Sequence, residues 1–214
     1  MELIINGRWI MKKILAAILI LLSLPVFSPA YGADWTPVQL SLFHPIQLYS
    51  EKTDVQGLRL NLVYGLNENV SGLDIGIVNQ VVNKFKGAQV GAFPFGGANF
   101  TKELSGLQLA GFFGGINIAT GKTVGMQVSG TLAGINYAGD VTGAQISGLL
   151  VGVNVAKNVK GLQACIVYNQ AESMQGLQIG LVNYCMEMKG IQIGLVNIIE
   201  KGRIPFLPIV NAQF

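Results

Sequence analysis

Charge is scarce in this chain. Asp, Glu, Lys and Arg make up 12% of its residues, about half the usual share for a globular protein. There is one histidine, His44, and there are two cysteines, Cys165 and Cys185. Such a set cannot supply the clustered His and Cys ligands of a structural zinc site. The acidic residues are scattered along the chain, so no carboxylate pair suggests itself for acid–base work. The piece Thr120-Gly121-Lys122-Thr123 has a phosphate-loop ending, but that motif needs a glycine where Ile116 stands. These scarcities argue against an enzyme, a metal or a cofactor.

Long apolar runs are also lacking, with one exception near the start. Lys12 and Lys13 precede the apolar stretch Ile14 to Phe27, and Ala30-Tyr31-Gly32 follows with small residues at cleavage positions. At about 14 residues the stretch is shorter than the ~20 a membrane helix requires, so residues 1–32 read as an export signal and the mature chain is expected to begin at Ala33. Residues 1–10 lie upstream of a second methionine, Met11, which is an alternative start. The segment carries Arg8, Lys12, Lys13 and Glu2, which leaves 11 basic and 10 acidic residues in the mature chain. That near-neutral balance gives no basic patch for nucleic acid.

What the chain has in abundance is glycine, 28 residues, placed periodically. A unit begins at Gly57 and recurs at Gly72, Gly87, Gly106, Gly125, Gly143, Gly161, Gly176 and Gly190, at intervals of 14 to 19 residues. Two residues after each glycine stands a polar side chain: Arg59, Asp74, then Gln89, Gln108, Gln127, Gln145, Gln163, Gln178 and Gln192. Both neighbours of each are apolar. Alternation with period two marks a strand with one buried face, and the aliphatic side is the one expected to be buried. Asparagine closes the first arm of each unit, at Asn79, Asn99, Asn117, Asn136, Asn154, Asn169, Asn183 and Asn197, and a short second arm leads to the next glycine.

From Gly to Asn the first arm measures seven residues in the units at 72, 176 and 190 and eleven in those at 106, 125 and 143. The even difference keeps later side chains on their original face. Gly87 to Asn99 and Gly161 to Asn169 depart from this by one residue, which predicts a bulge or break in each, the first near Pro94.

Units of this size fit one turn of an all-β solenoid of about nine turns, in which a single turn cannot cover its own apolar face and stacking does so. Residues 57–202 form the repeat domain, with residues 33–56 and 203–214 as N- and C-terminal caps. The alternative is an outer-membrane antiparallel β-barrel with one strand per unit. In the solenoid, stacked Gln and Asn amides could bond from turn to turn. Alternatively, Gln108, Gln127 and Gln145 would form a polar interaction column facing a partner. Cys165 and Cys185 occupy different places in their repeats, so a disulfide between them competes with two buried free thiols.

The phrase Gly-(Leu/Ile)-Gln-Ile-Gly-Leu-Val-Asn, present at Gly176 and again at Gly190, resembles the repeats of signal-peptide-bearing surface-repeat proteins of Gram-negative bacteria and spirochaetes. The resemblance covers roughly Gly57 to Phe214. It implies a periplasmic, outer-membrane or cell-surface location and no catalytic residues. The expectation is a non-enzymatic envelope or surface protein, a structural or interaction scaffold for an unknown partner, with membrane association open.

Overall fold

The computed structural model describes residues 33–92 and 95–214; the export signal expected over residues 1–32, and Pro94, lie outside the described residues. Every element is a strand: β1 (Trp35–Phe43), β2 (Ile46–Gln47), β3 (Asp54–Gly91), β4 (Gly96–Thr101), β5 (Glu103–Ala110), β6 (Gly114–Ser129), β7 (Ala133–Ser147), β8 (Val151–Cys165), β9 (Tyr168–Ile179), β10 (Val182–Ile199) and β11 (Phe206–Gln213). They form one sheet whose path runs from β2 to β11 without closing on itself. Neighbouring coils from β1 to β10 pair in parallel, while the short β2 folds back antiparallel on β1 at one end and β11 antiparallel on β10 at the other. The chain is a β-solenoid of about nine turns, and the antiparallel barrel is excluded by the parallel pairing.

Equivalent residues pair directly. Gly106 lies opposite Gly125, Gln108 opposite Gln127 and Asn117 opposite Asn136, and the next coil repeats this with Gly143, Gln145 and Asn154. The glycine column is obligatory for two reasons. Its members hold φ between 130° and 150°, a region side chains rarely adopt. A Cβ on Gly125 would also collide with the Gly106 carbonyl oxygen, as would each member with the one before.

The coil is inside-out relative to expectation. The Gln and Asn columns point inward and are fully buried, while the aliphatic residues beside them point out. Gln108, Gln127 and Gln145 are therefore not an interaction column: each is sealed inside. The reason is room. Near the corner between the two columns the interior holds only small residues, such as Ala110, Ser129 and Ser147, and a Cβ on Gly115 or Gly134 would strike the backbone opposite. Aliphatic chains have no space there and stand outside.

The buried amides satisfy one another in two ladders. Each Gln Nε2 donates to the Gln Oε1 of the preceding coil at 2.8–2.9 Å, from Gln192 back to Gln89. Each Asn Nδ2 donates to the following coil at 2.8–3.0 Å, from Asn61 to Asn197. The ladders run in opposite directions. Consistently, their terminal acceptors, Asn61 Oδ1 and Gln192 Oε1, lack donors at opposite ends of the coil. Under the second arm the interior turns apolar, with Val70, Phe85, Leu104, Val141, Val159 and Met174 stacked as a hydrophobic strip. Burial of such side chains contributes roughly 1.5–3 kcal/mol each.

The first-arm length differences are absorbed at one corner. The strands stop over residues 111–113, 130–132 and 148–150, where Gly111, Gly130 and Gly148 take φ of 30–40°. In the two units that differ by one residue, β3 ends at Gly91 and β4 begins at Gly96, and β8 ends at Cys165 and β9 begins at Tyr168; the seven-residue unit at Gly176 is also interrupted, between Ile179 and Val182. Even and odd insertions alike leave the columns in register, because the extra residues bulge out at the corner and do not lengthen a strand. Parity is thus not what preserves the facing of the side chains.

At its first end the Gln column begins with a buried ion pair. Arg59 Nη2 lies 2.6 Å from Asp74 Oδ2 and Arg59 Nε donates to Asp74 Oδ1 at 2.8 Å, both side chains fully inaccessible. Asp74 also accepts from Gln89 and Asn61, both at 2.9 Å. One carboxylate thereby receives the Gln ladder and anchors the first Asn. Residues 33–56 begin the coil itself, since Gln39 pairs opposite Arg59; β11 sets Asn211 opposite Gln192 at the far end.

Candidate functional site

With the polar columns inside, the outer surface decides what the coil can touch. It has two kinds of face. Between Gly57 and Gly190 every exposed charge falls on the second arm, among them Lys84, Lys102, Lys122, Asp140, Lys157 and Glu187. The two charged residues in first arms are Arg59 and Asp74, paired and buried.

The first arm presents aliphatic side chains on both its halves. On the glycine side, Leu73, Ile75, Met126, Ile179 and Ile193 are exposed; on the asparagine side, Ile77, Ile116 and Ile135. The halves meet at the corner, and the corner carries Phe95, Phe112, Phe113, Leu132, Leu181 and the adjacent pair Leu149 and Leu150, exposed by 64% and 65%. The rings of Phe112 and Phe113 meet edge to face at 5.3 Å, and Phe95 lies 6.4 Å from Phe113. Two apolar sides thus converge on an apolar ridge that follows the coil axis, on the order of 25 Å long from Phe95 to Leu181 at the spacing of paired strands. Contiguous exposed apolar surface of this extent marks an interaction site.

Concavities lie on both faces of the described residues. One, about 710 Å³, lies on the second-arm face between Asp54, Asn69, Lys84, Lys86, Lys102 and Glu103. Its Lys84–Glu103 pair is 4.0 Å apart and solvent-exposed, which is worth little energetically. Another, about 260 Å³, is an apolar slot at the ridge lined by Leu109, Phe112, Val128, Ile146 and Leu149 across three consecutive coils.

Reactive groups are few. Cys165 and Cys185 are free and buried. Burial pushes the Cys165 thiol up and the Cys185 thiol up to about 12, so both are protonated, inert interior residues. Tyr184 donates to Glu200, which raises its hydroxyl above the usual phenol range. His44 stacks edge to face on Tyr64 at 6.3 Å. Among the described residues no three His, Cys, Asp or Glu are grouped to hold a metal. Alternation disclosed the aliphatic positions but not their outward direction; the signal that could have done so was the confinement of charge to the second arm.

Comparison with family models, with curated proteins and with solved structures gave no match.

Proposed function

We propose that the protein is a non-enzymatic, exported component of a bacterial cell envelope that acts as a docking scaffold through its apolar wedge. The observation that carries this reading is the segregation of the outer surface: aliphatic and aromatic residues on both halves of the first arm, charge on the second arm. A coil in free solution gains nothing from such an arrangement, whereas an attached one buries the wedge and leaves the second arm in water. The apolar run before Ala30-Tyr31-Gly32 supports export, and the Gly-Leu-Gln-Ile-Gly-Leu-Val-Asn phrase supports kinship with surface-repeat proteins. The scattered carboxylates support a structural role over hydrolysis.

Expression of the full chain in a Gram-negative host, followed by fractionation and N-terminal sequencing, tests the proposal. The expected result is a chain that starts at Ala33 and is recovered with the envelope. An intact chain in the cytosol would overturn it.

A further inference from the structure

We infer that the partner of the wedge is the hydrocarbon region of a lipid leaflet, which the ridge enters while the second-arm face stays in water; this rests on the envelope reading above and names its partner. Four observations carry it.

Shape comes first. The two apolar sides diverge from a convex ridge, so a flat protein face or a twofold partner copy covers one side and leaves the other exposed. Fluid acyl chains close around both. Composition agrees: between Gly57 and Gly190 there is no tryptophan, and the one arginine, Arg59, is buried. Protein interfaces concentrate energy in Trp, Tyr and Arg, whereas this ridge offers Leu, Ile and Phe.

Polarity along the cross-section is that of an interfacial segment. Tyr137 and Tyr184 each stand one residue beyond the Asn column, between the apolar side and the charged arm, and the Tyr184 hydroxyl reaches Glu200 on the charged side. Tyrosines at the boundary between apolar and aqueous layers are a mark of membrane contact. The fourth observation concerns the backbone. Hydrocarbon tolerates only structures whose peptide groups are paired internally, and here the inner coils pair on both sides and the corner segments also bond from coil to coil, Gly130 N donating to Ala110 O at 2.9 Å, Ala133 N to Phe113 O at 3.1 Å and Val151 N to Leu132 O at 2.8 Å. The apolar slot at Phe112 and Leu149 then gives an acyl chain a place to lie across three coils.

The test places an environment-sensitive fluorophore on the full chain through Leu149→Cys on the ridge or, separately, Lys157→Cys on the charged arm. Both positions are exposed, and the buried native thiols do not compete for label. With phosphatidylcholine vesicles, the ridge label should shift to the blue and become shielded from an aqueous quencher, while the arm label stays unchanged. Because both proteins carry residues 1–32, tethering through that segment alone would leave both labels in water. Silence of both labels, or an equal response from both, overturns the inference. Adding Leu150→Lys to the ridge-labelled chain should weaken insertion about a hundredfold with the circular dichroism spectrum unchanged; undiminished insertion overturns it. A ridge shift that grows with protein concentration in the absence of lipid, with dimers in sedimentation, assigns the wedge to a second copy and also overturns it. Silent labels on a chain still recovered with the envelope sink the lipid partner alone, and insertion by a chain that stays cytosolic sinks the envelope reading alone.

Discussion

A single amide inside the coil is held from both sides. Gln127 donates to Gln108 Oε1 at 2.8 Å and accepts from Gln145 Nε2 at 2.9 Å. Gln127→Leu would remove two rungs and leave the Gln108 acceptor and the Gln145 donor short of their ladder partners in a dry interior, at about 1–3 kcal/mol each. A drop of roughly 2–5 kcal/mol in urea unfolding is expected, which a merely surface-displayed glutamine would not produce. Asp74→Asn should cost about 3–5 kcal/mol by the same measurement, because it strands the buried Arg59 guanidinium. The double change Arg59→Gln and Asp74→Gln continues the ladder without charge and should recover most of that loss. Cys185 adds a pH dependence. Its thiol titrates near 12 when folded against 9.0 for an ordinary cysteine, so above the lower value the unfolded chain releases a proton that the folded one keeps. Stability should therefore fall as pH rises from about 9 towards 12, and iodoacetamide at neutral pH should label this thiol only after unfolding.

At the scale of the element, the coil is a modular unit joined to its neighbours by parallel pairing and by one rung in each ladder. Residues 125–142 constitute one unit, and its removal brings Gly106 beneath Gly143 with Gln108 facing Gln145 and Asn117 facing Asn154. Because each coil contacts only its neighbours, the shortened chain should fold with the same circular dichroism spectrum and a lower denaturant midpoint. Complete loss of folding would show that cooperativity extends beyond neighbouring coils. The corner explains why lengths vary without harm. Its extra residues project from the wedge, as Phe112 and Phe113 do, so the sequence is free to vary size there while the columns are fixed.

For the whole molecule, the consequence of a first arm whose inward side is taken up by amides and small residues is an apolar exterior. Two amide ladders and a strip of Val, Leu and Met hold the coil, and the residues that would ordinarily form a core line two outer sides instead. The antiparallel β1–β2 pair and the reversed strand β11 stand at the two ends of the sheet. On the proposed reading, docking by the wedge is how this molecule removes that apolar surface from water.

The sequence alone determined the unit, the strand period and the stacked columns, because glycine at fixed spacing and alternation of polar with apolar residues are local properties of a chain. It also showed the scatter of the carboxylates along the chain. Which face of the strand turned inward was not local. Alternation is symmetric under exchange of inside and outside, and Gln108 or Leu109 could equally have been the buried neighbour until the opposing half of the coil was in place. Only the tertiary structure decided it: closure of the coil brings backbone against Gly115 and Gly134 and leaves room beside the corner for little more than Ala110, Ser129 and Ser147, while each inward Gln and Asn finds its partner in the coils above and below.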